Sequence, residues 1–160
     1  MHMRSSILPV VILLSAPLHA MPLERYQAVE IQSQDLRPGL NARQSWRQSD
    51  VADYRYQLTA RCLCAYHGSS RVYVVDRQVV RVEDESGRPR PMDARGMQDL
   101  RIEALFSLID RYASQQPDGI EVRMNRYLGY PERIRIDPSY RLADDEIDLT
   151  ITDFQLLKPR

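Results

Sequence analysis

The sequence predicts an α+β fold: an antiparallel sheet of about six strands with one long amphipathic helix packed on one face. Three observations predict it. Apolar and polar residues alternate in several short segments, which is the period of a half-buried strand. Residues 97–116 instead repeat apolar residues every three or four positions, the period of a helix. Strand follows strand through turns without a crossover helix, so the strands are expected to pair antiparallel.

The first segment of the 160-residue chain, residues 1–20, has the pattern of a signal peptide. Arg4 precedes an uncharged, mostly apolar run that is shorter than the roughly 20 residues of a membrane-spanning helix. Leu18-His19-Ala20 fits a cleavage site, and no Cys lies at this junction to carry a lipid. The protein is therefore predicted to be periplasmic or secreted, with no transmembrane segment after cleavage.

The next segments predict an arm followed by one domain. Residues 21–40 have no sustained period and are expected to be an irregular arm, and residues 41–160 are expected to form a single α+β domain. Residues 41–49 predict a short helix that Trp46 docks on the core. Residues 53–64 alternate strictly and predict a strand, and residues 71–75 and 79–83 predict a hairpin around a polar turn.

The second half of the domain contains the predicted helix and three more strands. Residues 84–96 contain two Gly and two Pro and are expected to be a loop. The helical period of residues 97–116 ends before Pro117. The period of two then returns at residues 120–124, 134–136 and 147–151, which completes the order of three strands, one helix and three strands.

Composition excludes several classes of function. The 22 basic and 22 acidic side chains give a net charge of zero, so no basic surface indicates nucleic-acid binding. Of the three His residues, signal cleavage would leave only His67, which disfavours a histidine-based catalytic triad. The six Gly residues are isolated and do not form a phosphate-binding loop. We therefore predict a protein without a cofactor and without enzymatic activity.

Cys62-Leu63-Cys64 is the sharpest local feature of the sequence. Residues two apart share one face of a strand, and their Cα atoms lie about 6.6 Å apart in a regular strand, near the upper limit for a disulfide. A bridge therefore requires a bend. Three hypotheses remain open: a small disulfide, which export favours, two buried free thiols, or a soft-metal site for copper(I) completed by His67.

Acidic residues cluster at Asp144-Asp145-Glu146, with Asp137 upstream. Carboxylate oxygens are calcium ligands, but this segment lacks the alternating ligands and central Gly of a calcium loop. A solvated turn before the last strand is the favoured interpretation.

Several motifs in order resemble a family of small exported bacterial proteins catalogued only as a domain of unknown function. They are the Cys62-x-Cys64 strand, the Leu105-Phe106-x-Leu108-Ile109 helix, the Gly129-Tyr130-Pro131 turn and the segment from Ala143 to Phe154. The resemblance covers about residues 46–154 and implies an exported single domain with no assigned activity. Relatives are often lipid-anchored, but the anchoring Cys is missing here. The resemblance marks six positions worth testing, without assigning roles: Cys62, Cys64, Tyr130, Pro131, Asp144 and Glu146.

A weaker similarity is to periplasmic lipoprotein carriers, whose curved antiparallel sheets hold acyl chains in an apolar concavity. The sequence does not show whether Tyr54, Tyr56, Tyr112 and Met124 line such a groove or fill the core, and filling is the favoured interpretation. We predict an exported, non-enzymatic binding or envelope-associated module, whose partner could be an envelope protein or an apolar ligand. The alternatives are a thiol-redox or copper-handling protein using Cys62, Cys64 and His67, and a carrier of an apolar ligand in a sheet groove.

Overall fold

The computed structural model describes residues 26–29, 42–64, 67–91 and 100–159. The predicted signal peptide, residues 1–20, lies outside these ranges, as does most of the predicted arm. The described residues form seven strands and two helices: β1 Tyr26–Val29, α1 Ala42–Gln48, β2 Tyr54–Arg61, β3 Gly68–Val75, β4 Gln78–Glu83, α2 Ile102–Ser114, β5 Gly119–Met124, β6 Pro131–Asp137 and β7 Ile147–Pro159. The segment predicted to be an irregular arm thus contains a strand.

All the strands belong to one antiparallel sheet. Its order is β4-β3-β2-β7-β6-β5, and β1 pairs with the far end of β7. Two three-stranded meanders, β2-β3-β4 and β5-β6-β7, are joined side by side through the pairing of β2 with β7. The long β7 is therefore central, because it also pairs with β6 and β1.

The predicted α+β class with one long helix is wrong. The two helices have 7 and 13 residues, and the described chain is mostly β. Leu100 continues the helical period but lies outside α2, because its carbonyl accepts a hydrogen bond from Tyr56 and Arg101 has an extended backbone. Helix α2 begins only at Ile102, whose amide donates to the Tyr54 hydroxyl. Neither described helix combines the length and apolarity needed to cross a membrane.

Buried and exposed side chains alternate along β2, as the sequence pattern predicts. Tyr54, Tyr56, Leu58 and Ala60 are completely buried, while the residues between them are partly or fully exposed. The short first helix is also confirmed, and its one buried side chain is Trp46. The interior between the sheet and the helices is thus filled by side chains of the strands and helices that enclose it.

Aromatic rings join the first helix to one end of the sheet. Trp46 makes edge contacts with Tyr54, Tyr130 and Phe154 at centroid distances of 5.4, 6.4 and 6.0 Å. Phe154 also stacks on Tyr54 and on Tyr130. Such pairs contribute roughly 0.5–1.5 kcal/mol each beyond the burial of their surface. We call these four residues the aromatic cluster.

Polar contacts fix the two helices to each other beside this cluster. The indole of Trp46 donates to Glu103 at 2.9 Å. The guanidinium of Arg43 donates two hydrogen bonds of 2.8 Å to Asp110 and lies over the ring of Phe106. This bidentate pair lowers the pKa of Asp110. The short helix α1, which would be unstable alone, is held by these tertiary contacts.

Gly129 allows the turn before β6 to lie directly against the start of α1. Its φ is +79°, in the left-handed region, and an added Cβ would overlap the backbone carbonyl of Ala42. Both the conformation and the space therefore require glycine.

We predict that Gly129→Ala destabilises the protein by at least about 2 kcal/mol, because it combines left-handed strain with a backbone overlap. Gly87→Ala is the matched control, since Gly87 has a φ of +80° but nothing within 4 Å of the added Cβ. It should cost only about 1 kcal/mol. Urea unfolding of the two variants measures the difference, and equal losses would contradict the proposed close contact.

Candidate functional site

Antiparallel pairing brings four strand termini together at the end of the sheet opposite the aromatic cluster. Arg61, the last residue of β2, pairs with Asp148 near the start of β7. At the same end, β6 finishes at Asp137, which pairs with Gly119 at the start of β5. Segments distant in sequence therefore meet here, and the Cys pair follows directly after β2.

Cys62 and Cys64 are bonded to each other as a disulfide. Their Cα atoms lie 5.2 Å apart, closer than the roughly 6.6 Å of a regular strand, so the chain bends. Strand β2 accordingly ends at Arg61 instead of continuing to residue 64 as predicted. The bend projects Leu63 outward, with 88% of its surface exposed. A disulfide is compatible with an extracellular protein.

His67 lies beside this bend. Its Nδ1 atom is 3.1 Å from the carbonyl oxygen of Cys62, and its amide donates to the carbonyl of Cys64. The described residues contain no group of three or more His, Cys, Asp or Glu side chains arranged to hold a metal ion. In the disulfide state, the two sulfur atoms are bonded to each other and not available as thiolate ligands.

A groove of about 730 Å³ opens at this end of the sheet, within the range of ligand sites. Its walls come from residues 61–63, 119–121, 135–137 and 144–148, together with His67 and Tyr140. We call it the disulfide groove. A second, adjoining cavity shares Cys62, Leu63, Asp144, Glu146 and Ile147 with it and extends to Leu142 and the end of α2.

Exposed apolar side chains concentrate around the disulfide groove. The described residues include five large apolar side chains that are exposed, and four of these border the groove or the adjoining cavity: Leu63, Ile120, Tyr140 and Leu142. Tyr140 is 71% exposed and Leu142 is 61% exposed. A cluster of exposed apolar side chains around a cavity is typical of a binding surface, whereas single exposed apolar residues are ordinary.

Four carboxylates around the groove and the adjoining cavity lack a cationic partner among the described residues. Within the described part of the chain, Asp137, Asp144, Asp145 and Glu146 form no salt bridge. One buried oxygen of Asp137 and one of Asp145 also have no hydrogen-bond partner there. Partial desolvation, followed by the negative charges of Glu146, Asp145 and Asp118, raises the pKa of Asp137.

Asp148, which also lines the groove, has cationic partners. Arg133, just beyond the groove, donates to Asp148 from Nε at 3.2 Å and from Nη2 at 2.9 Å, and Arg135 lies 3.9 Å from Asp148. The hydrogen bond from Arg133 lowers the pKa of Asp148. Asp148 is therefore charge-paired, whereas Asp137, Asp144, Asp145 and Glu146 form no salt bridge among the described residues.

The structure brings together some of the residues predicted from sequence and separates others. Cys62, His67, Asp144 and Glu146 line the disulfide groove, and Cys64 lies in the adjoining cavity. The acidic segment, expected to be a simple solvated turn, forms a wall of this groove. Tyr130 and Pro131 are buried at the other end of the sheet, where Tyr130 belongs to the aromatic cluster.

Sequence analysis did not select Leu63, Tyr140 or Leu142 as site residues. Their signal was weak, because Leu63 lies in the segment predicted to be a strand, and Tyr140 and Leu142 lie in the turn expected before the last strand. Such residues are common, and these are distinguished by their position around two adjoining cavities.

Comparison with known proteins places most of the chain in one family. No curated protein and no solved structure shows a significant match to this sequence. The sequence profile described as "Family of unknown function (DUF6174)" matches residues 40–156, which include both helices, the disulfide, strands β2 to β6 and most of β7. This confirms the resemblance inferred from the motifs. The chain therefore belongs to the DUF6174 family of unknown function.

Proposed function

We propose that this protein is an exported, non-enzymatic binding domain whose ligand site is the disulfide groove. The observation that carries the proposal is the convergence of four exposed apolar side chains and four unpaired carboxylates on the disulfide groove and the cavity that adjoins it. Export is supported by the signal-like residues 1–20 and by a disulfide, which persists in oxidising compartments.

The placement of the groove supports this function. The aromatic cluster and the contacts between the helices stabilise one end of the sheet, so the other end is free to present side chains to a ligand. Several groove residues lie in connecting segments, which are the segments that carry binding sites on a rigid scaffold. The disulfide fixes the bend that exposes Leu63 at the rim.

A thiol-redox function is the second candidate, because the disulfide borders a cavity together with His67. It requires that Cys62 and Cys64 cycle between disulfide and dithiol, and the dithiol could then bind copper(I) with His67. Intact mass of the native protein, with and without reductant and alkylating agent, and elemental analysis for copper and zinc distinguish the two. A bridged, metal-free pair supports the binding domain, and reactive thiols or stoichiometric metal support the alternative.

We predict that the combined change Leu63→Ser and Tyr140→Ser lowers binding of the neutral apolar dye Nile red by at least about half, because it removes apolar surface from the groove. Tyr127→Ser is the control, since Tyr127 is an exposed aromatic residue outside the groove. Dye emission is measured at equal protein concentration, and thermal unfolding verifies that both variants fold.

Equal dye binding by the groove variant and the native protein would contradict a ligand site in the disulfide groove. Native mass spectrometry of gently purified protein supplies a second readout. A co-purified lipid lost in the groove variant would identify the ligand as apolar and favour the carrier form of this function.

We also predict that Asp137→Asn raises the melting temperature at pH 7, because the substitution removes a charge that faces three other carboxylates. Asp148→Asn is the matched control and should lower the melting temperature, because it breaks the pair with Arg133. The two changes in melting temperature should therefore have opposite signs if the charge of Asp137 serves binding and not stability. Destabilisation by Asp137→Asn would show that this carboxylate stabilises the fold.

The two effects also have a defined pH dependence. The raised pKa of Asp137 makes its charge destabilising at neutral pH, and this cost disappears as pH falls below the ordinary value of 3.8. The lowered pKa of Asp148 contributes stability above 3.8 that is lost as pH falls through its folded-state pKa. Both variants should therefore approach the native protein in stability as pH falls into the carboxyl range.

A further inference from the structure

We propose that the ligand of the disulfide groove is a cationic segment of polypeptide that binds in an extended conformation along the free edge of β5. This inference deepens the function proposed above and rests on it. Three properties of the groove carry it: its apolar rim, its uncompensated negative charge and the backbone edge that forms one side.

The charge of the groove selects a basic ligand. Counted together, the groove and the adjoining cavity are lined by six carboxylates and three guanidinium groups. Two of those carboxylates, Glu121 and Asp148, lie near Arg135, whereas the wall that includes Asp144 and Glu146 has no cationic partner among the described residues. A Lys or Arg side chain of a ligand would supply the missing charge, and an acidic ligand would be repelled.

The apolar rim selects a ligand that also carries aliphatic or aromatic groups. Leu63, Ile120 and Tyr140 surround the same cavity as the carboxylates. The Tyr140 ring lies over Gly119, where an added Cβ would approach its hydroxyl to 3.0 Å. A ligand with alternating basic and apolar side chains matches this arrangement of charged wall and apolar rim.

The edge of the sheet selects a polypeptide over other cationic ligands. In the sheet order, β5 is a terminal strand, and no described strand pairs with its outer edge. The amide of Asp118 is directed toward Pro138, on the β6 side. Because the direction alternates along an antiparallel strand, the backbone groups of Gly119 and Glu121 point to the open edge. An extended peptide can pair with such groups as an added strand.

The experiment titrates isotope-labelled full-length mature protein with a blocked peptide of alternating lysine and valine and follows amide resonances by NMR. We expect saturable shifts that centre on residues 119–121 and 144–146. The combined change Asp144→Asn and Glu146→Gln should weaken binding at least about five-fold, because it removes two exposed charge contacts. Asparagine tolerates the positive φ of Asp144, so the backbone is retained.

Controls separate the parts of the proposal. Glu85→Gln removes an exposed charge away from the groove and should leave the affinity unchanged. A peptide of alternating glutamate and valine should not bind. Binding should weaken between about 0.05 M and 0.5 M salt, as expected for exposed charges. Two further versions of the lysine peptide carry backbone N-methyl groups on every second residue, either on the lysines or on the valines. Only one version should lose affinity, because only one of the two sets of amides faces β5.

The proposal fails if the lysine peptide does not shift the groove resonances, if the acidic peptide binds as well, or if spermidine, a cation without a peptide backbone, binds as tightly. These outcomes are distinct from failure of the proposed function. Nile red binding that depends on Leu63 and Tyr140, without binding of the lysine peptide, would retain a ligand site in the groove and refute the cationic polypeptide.

Discussion

The buried phenol of Tyr54 is the interaction on which most of the structure depends. Its ring lies in the interior at the start of β2, in contact with Trp46 and Phe154, and its hydroxyl accepts the amide hydrogen of Ile102. Burial raises the pKa of this hydroxyl, so the neutral form is retained. One side chain thereby connects the central pair of strands, the first helix and the first residue of the second helix. Without it, α2 would lose the acceptor that satisfies its first amide.

This arrangement gives the two ends of the sheet different roles. The aromatic end is filled, because α1, α2 and the Gly129 turn all pack there. At the disulfide end, unpaired carboxylates and exposed apolar residues accumulate around the groove and the adjoining cavity, which reaches the last turns of α2. Unpaired like charges cost stability, and clustered exposed apolar side chains are typical of binding surfaces, so both features support the proposed ligand site. The proposed division between a stabilising end and a binding end follows from this contrast.

Sequence analysis could predict the features that depend on local pattern. The period of two in β2 and the burial of Trp46 follow from alternation and from the size of one side chain. The length of α2 could not be predicted, because Leu100 fits the helical period, yet its carbonyl accepts a hydrogen bond from the distant Tyr56 hydroxyl and Arg101 is extended. The assembly of the site could not be predicted either, because it depends on the pairing of distant strands. Asp144 and Glu146 were selected from sequence, but the pairing of β2 with β7 brings them to the same cavity as Leu63.

Native-state hydrogen exchange, measured amide by amide, tests the division between the two ends most directly. The account predicts that the amides of Tyr56, Leu58 and Ile102 exchange only by global unfolding, while amides in residues 140–146 exchange roughly three orders of magnitude faster through local opening. A gradient of this kind would locate the stability at the aromatic end and leave the disulfide end available to a ligand. Equal protection at both ends, or slower exchange around the disulfide, would contradict the account.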